Sequence, residues 1–122
     1  MLAVQECTLE AASRRRATAP LMALAGHALS ERFHCWRGAS GRRYVATVFA
    51  GAAPPDAFSG ALVLAVQRLP CGARALVEMA DSGDGIAAFA ARSRSRGATE
   101  WHVHLLAATP AERAMAMRDL RG

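Results

Sequence analysis

An α+β fold is predicted by three features of the sequence: two stretches of hairpin type over 32–50 and 61–80, a polar–apolar alternation from Glu100 to Leu106, and helix-start signals near Asp84 and Thr109. They give the order α-β-β-β-β-α-β-α, a mainly antiparallel five-stranded sheet with helices packed on it. A length of 122 residues suits one such domain, placed over 20–122 behind an arm at 1–19.

The arm mixes a few apolar residues with Arg14-Arg15-Arg16 and holds no period of 2 or 3.6, so it reads as flexible or partly helical. Pro20 suits a first helical turn, and Leu21, Leu24, Ala25, Ala28 and Leu29 follow at amphipathic spacing, so a helix is expected to end near Glu31. From Arg32 to Ala50, two aromatic and β-branched runs flank Gly38-Ala39-Ser40-Gly41. A three-residue loop with Gly41 left-handed would pair Trp36 with Tyr44 and Arg37 with Arg43.

The prolines and glycines of 51–60 make a connection. Ala61 to Leu69 is almost continuously apolar, as a central strand covered on both faces would be. Pro70-Cys71-Gly72 turns it into a returning strand over Ala73 to Ala80. Asp84 or Ser82 is the expected cap of a helix bearing Ile86, Phe89 and Ala90 on its apolar side and ended by Gly97. Thr109-Pro110-Ala111-Glu112 joins an N-cap, a first-turn proline and a third-position Glu, and starts a helix that runs to about Leu120. The expected core is Phe33, Val45, Leu62, Leu64, Val66, Leu76, Phe89, Val103 and Leu105.

All fifteen basic residues are arginine, giving a net charge of +5. The lack of lysine, together with abundant alanine, follows from GC-rich coding; the positive charge is physically real all the same. No apolar run reaches the ~20 residues that a bilayer span requires, and no secretory leader is recognisable, so the expected location is the cytoplasm, without a membrane partner. Three widely spaced cysteines without a C-x-x-C pair suit neither a disulfide framework nor a cysteine zinc site.

Four stretches bear on chemistry. His102 and His104 alternate along a strand and so share a face, where His34 would supply a third metal ligand; without a fourth, the favoured reading is polar residues on a half-exposed face, with no metal or cofactor. Cys35 is expected buried and Cys71 in an exposed loop, neither activated as a nucleophile. Gly38 to Arg43 resembles a phosphate loop in composition but joins two strands and lacks a Walker ending, which makes it a turn with an arginine-bearing tip. Asp81 to Gly85 lacks the acidic ladder of a calcium loop.

The preferred function is a small, basic, non-enzymatic binding module for an anionic partner, either nucleic acid or an acidic protein surface. The anion-binding residues would be Arg37, Arg42, Arg43, Arg68, Arg74, Arg92, Arg94 and Arg96, gathered at one pole if the first four strands form a meander, with Asp56, Asp81 and Asp84 at the other. One alternative is a metal-binding protein or hydrolytic enzyme built on His34, His102 and His104. A second is an interaction subunit, a homodimer formed through a sheet edge or the helix bearing Met115 and Met117.

Overall fold

The computed structural model describes residues 17–18, 32–54 and 60–122. Its strands are β1 (Ala17–Thr18), β2 (Phe33–Arg37), β3 (Arg43–Ala50), β4 (Leu62–Arg68), β5 (Arg74–Asp81) and β6 (Glu100–His104). Helix α1 is Ile86–Ser95 and α2 is Pro110–Arg121. Five main strands form one antiparallel sheet, with the two-residue β1 at its edge, in the order β1-β5-β4-β6-β3-β2. This is the α+β class and element order expected. The helix expected after Pro20 and most of the 1–19 arm lie outside the described residues; within the arm, Ala17 and Thr18 pair with Ala75 and Arg74.

Both hairpins follow from their turn residues. Gly41 takes φ 89° and Gly72 φ 89°, left-handed positions that only glycine occupies without strain. The first loop therefore closes with the expected register, Trp36 opposite Tyr44 and Arg37 opposite Arg43. The second sets Arg68 opposite Arg74. A bulge opposite Ala65 and Val66 shifts the register of β5, so Leu76 and Met79 meet the core facing α2 while Val77 and Ala80 meet the core facing α1.

The meander does not form, because β6 is inserted between β3 and β4. Every neighbouring pair is antiparallel, so β2, β6 and β5 run one way while β3 and β4 run the other. The β2–β3 loop and the β4–β5 loop consequently stand at opposite ends of the sheet. The single arginine pole is thereby corrected: two basic ends replace it.

Strand β4 lies centrally, and Ala61 through Val66 are all buried, as its apolar run requires. On one face Trp36, Tyr44, Leu62, Leu64, Val66 and Leu76 pack against Ala116 and Leu120 of α2. On the other Val63, Ala65 and Trp101 pack against Ile86, Phe89 and Ala90 of α1. Two expected core residues are corrected: Val45 is 50% and Leu105 51% exposed. Helix α1 packs over β4 and β5 and leaves Val45 on β3 uncovered among the described residues, and Leu105 lies past the end of β6. Phe33 is only half-buried. Leu64 is fully enclosed on this central strand: Leu64→Ala is expected to cost about 2–5 kcal/mol, read as a lowered denaturant midpoint.

Capping of α1 also differs from expectation. Its N-cap is Gly85, with no side-chain cap bond, because Ser82 instead accepts the Ala61 N–H at 2.8 Å and anchors the start of β4. Helix α2 starts as expected, with Thr109 Oγ1 accepting the Glu112 N–H at 3.1 Å. No helix among the described residues is long and apolar enough to cross a membrane.

Candidate functional site

The sheet curls enough for side chains of β2 and β5 to meet across the face that carries α2. Alternation along β6 places Glu100, His102 and His104 on that face, while Trp101 and Val103 turn the other way. The first two of these polar residues belong to a closed chain of bonds. Trp36 Nε1 donates to His102 Nδ1 at 2.9 Å, and an indole N–H can only donate. The ring proton of His102 is therefore on Nε2, which donates to Glu100 Oε1 at 2.9 Å. Arg74 Nε donates to the same oxygen at 2.8 Å, and Arg68 Nη1 reaches Oε2 at 3.4 Å. Arg74 Nη1 also donates to His34 Nδ1 at 3.1 Å.

All but Arg68 in this chain are at most 3% exposed. Burial, His102 and Arg74 together push the His34 imidazole down to about 3, so it stays neutral. Burial also lowers His102, with Glu100 opposing. Burial would raise the Glu100 carboxyl, but the His102 hydrogen bond and the Arg74 charge outweigh it and hold the group at about 2. Both nitrogens of His102 are consumed, so the three-histidine site does not assemble as an open centre. Among the described residues no group of three or more His, Cys, Asp and Glu is placed to hold a metal ion.

The eight arginines singled out by sequence divide into three environments. Arg74 is buried and Arg68 half-buried, and both answer Glu100, which resolves the like-charge pairing across the β4–β5 turn. Arg92 and Arg96 pair with Glu78 at 3.5 and 3.0 Å, and Arg94 lies 5.0 Å over the Trp101 ring. Arg37, Arg42 and Arg43 are exposed at the β2–β3 end. Arg37 and Arg43 oppose each other across the hairpin, and no carboxylate among the described residues forms an ion pair with either.

That end of the molecule is held by α2. Asp119 accepts from the Ser40 backbone N–H at 2.8 Å, from Ser40 Oγ at 2.7 Å and from Tyr44 Oη at 2.7 Å. The Ser40 bonds, then Tyr44, lower its carboxyl. A Cβ at Gly38 would collide with the Asp119 carboxylate, so a larger residue there would displace this tie. Beside this tie opens a cleft of about 240 Å³ lined by Arg42, Arg43, Tyr44, His104, Leu106, Glu112 and Met115. His104 shares a bond of 2.8 Å with the Val45 carbonyl; that oxygen can only accept, so Nδ1 carries a proton. In the neutral ring Nε2 then holds a lone pair. Across the sheet, Arg113 Nε donates to Asp81 Oδ2 at 2.6 Å and fixes the start of α2.

Cys35 and Cys71 are both half-buried, so Cys35 is less enclosed and Cys71 less exposed than expected. Glu100, Asp119 and Glu112 were not among the site residues read from sequence. The signal for Glu100 is present: the alternation that aligns His102 with His104 aligns Glu100 too. For Asp119, one exposed-looking acid late in a helix, the sequence holds no signal. No protein-family model, curated protein or solved structure matches the chain.

Proposed function

We propose that the chain is a non-enzymatic binding module whose β2–β3 end receives a phosphate of a nucleic acid. The observation that carries this reading is the contrast between the two opposed arginine pairs. Arg68 and Arg74 are answered internally by Glu100, whereas Arg37 and Arg43 are opposed, exposed and without an ion pair among the described residues. Like charges facing each other across a hairpin are mildly destabilising, and a bound anion removes that cost. Arg42 adds a third guanidinium to the same end, which the Asp119 tie keeps in place. Arg68, Arg74, Arg92, Arg94 and Arg96 leave this reading, because each has a partner inside the fold.

The test is fluorescence anisotropy with a labelled single-stranded oligonucleotide, titrated at several salt concentrations. Affinity is expected to fall steeply as salt rises. Arg37→Ala, Arg42→Ala and Arg43→Ala should each weaken binding and lower the salt slope by about 1. No binding at low salt, or an unchanged slope in the triple variant, overturns the proposal. Binding of an acidic protein surface in its place would move the same arginines to a different partner.

A further inference from the structure

We infer that the cleft beside the arginine hairpin recognises a ribose phosphate, so that the module distinguishes RNA from DNA. This rests on the proposed phosphate-binding role of the same end and adds to it the identity of the sugar. The cleft is not uniformly basic. Arg42 and Arg43 offer only donors, while His104 and Glu112 offer acceptors in the same lining. A bare anion satisfies the guanidiniums, yet it leaves the acceptors unused and is repelled by the Glu112 carboxylate. A ligand that satisfies both sides carries a negative group and, a few ångströms away, a hydroxyl that donates.

The acceptor on His104 is fixed by the fold. Nδ1–H donates to Val45 O at 2.8 Å, and the Tyr44 ring lies edge-on to the imidazole with 5.4 Å between centroids, so the ring has one orientation and its acceptor position is Nε2. Glu112 is likewise restrained, because Thr109 Oγ1 donates to its Oε1 at 3.0 Å. The 2′-hydroxyl of ribose, adjacent to a phosphodiester, is the group that presents such a donor in RNA and is missing from DNA. Size points the same way: about 240 Å³ is below the ~300 Å³ at which pockets for whole small ligands begin, so the cleft takes a sugar and its phosphate and leaves the base outside. Leu106, 78% exposed, and Met115, 58% exposed, stand at the rim where an unstacked base would rest without being read by its edge. Preference for the sugar, with little preference for sequence, follows.

The experiment compares single-stranded RNA and DNA oligonucleotides of one mixed sequence at fixed salt, with free ribose 5-phosphate and 2-deoxyribose 5-phosphate as competitors. RNA is expected to bind about tenfold more tightly, the ratio that one good hydrogen bond supplies. In His104→Asn the amide keeps a donor for the Val45 carbonyl and lacks the second ring nitrogen, and the ratio should fall toward one. Glu112→Ala, which removes the acceptor on an exposed helix surface and leaves the bond from the backbone N–H of residue 112 to Thr109 Oγ1 in place, should lower it in the same direction and guards against misfolding of the first variant. Ribose 5-phosphate should compete better than its deoxy form; competition as strong as the oligonucleotide's would identify the free sugar phosphate as the ligand of the same cleft. Salt-sensitive binding with equal RNA and DNA affinities overturns the sugar inference and leaves the phosphate reading standing. An RNA preference unmoved in both variants overturns the assignment to this cleft. Failure to bind either polymer removes the phosphate reading itself.

Discussion

Glu100→Ala is expected to destabilise the fold by about 3–5 kcal/mol, the cost of removing one partner from a buried charge pair. The carboxylate is 4% exposed and receives Arg74 Nε, His102 Nε2 and Arg68 Nη1. Without it, the Arg74 guanidinium keeps its charge at 1% exposure, facing a neutral His34, and the His102 proton faces an empty site. Glu100→Gln keeps the volume and one acceptor oxygen, so its cost should be smaller but of the same sign. Urea denaturation of both variants measures the effect. A loss below about 1 kcal/mol for the alanine variant would mean that water reaches Arg74 readily and that the network is not closed.

The second large effect is loss of stability in acid, beginning unusually early. His34 is neutral in the fold down to about pH 3, whereas in the unfolded chain it takes a proton below 6.5. Between those values the unfolded state binds more protons, so its contribution is complete above pH 6.5 and declines as pH falls, by at most about 1.4 kcal/mol per unit. His102, also lowered, adds in the same direction. Glu100 joins lower down, its contribution being lost from about 4.5 toward about 2. Denaturant midpoints recorded from pH 8 to 4 should hold steady to about 6.5 and then fall, and His34→Gln should flatten the first part of that decline. A midpoint constant from pH 8 to 5 would show that neither histidine is held neutral by the fold.

The sequence announced those elements whose signals are local. Gly41 and Gly72 set the hairpins because a left-handed residue is needed at one position of each loop, and Thr109 with Pro110 and Glu112 starts a helix within a single turn. Strand pairing between hairpins has no such local cue. Nothing in 51–99 says that the strand beginning at Glu100 will separate β3 from β4, and the arginine pole failed on that one step. Core residues were legible where a strand is covered on both faces, as at Leu62 to Val66, and were misjudged at Val45, where burial depends on how far α1 extends across the sheet.

The site was legible in part for the same reason. Period-2 alternation placed His102 and His104 on one face, which the structure shows, but the partner of His102 is Glu100 two residues earlier, and Trp36 lies 66 residues away. Arg74 is expected among the anion-binding residues because the second hairpin loop places it there; its burial follows from the curl of the sheet, which brings β2 and β5 across from each other.

Placing β6 at the centre of the sheet also sets an order of assembly. The chain emerges from the ribosome with both hairpins complete well before Glu100, yet each then has a bare backbone edge: β3 lacks the partner for Thr47 to Ala50, and β4 the partner for Leu62 to Val66. The β4 edge is apolar as well as unpaired, the combination that most readily recruits another chain. Until the last fifth of the chain is made the two halves have no ladder to join them, and β6 must then enter as a keystone between preformed arches, a step slowed by the long loops it closes. Chains truncated between Gly85 and Thr99 and released from the ribosome thus present both bare edges at once.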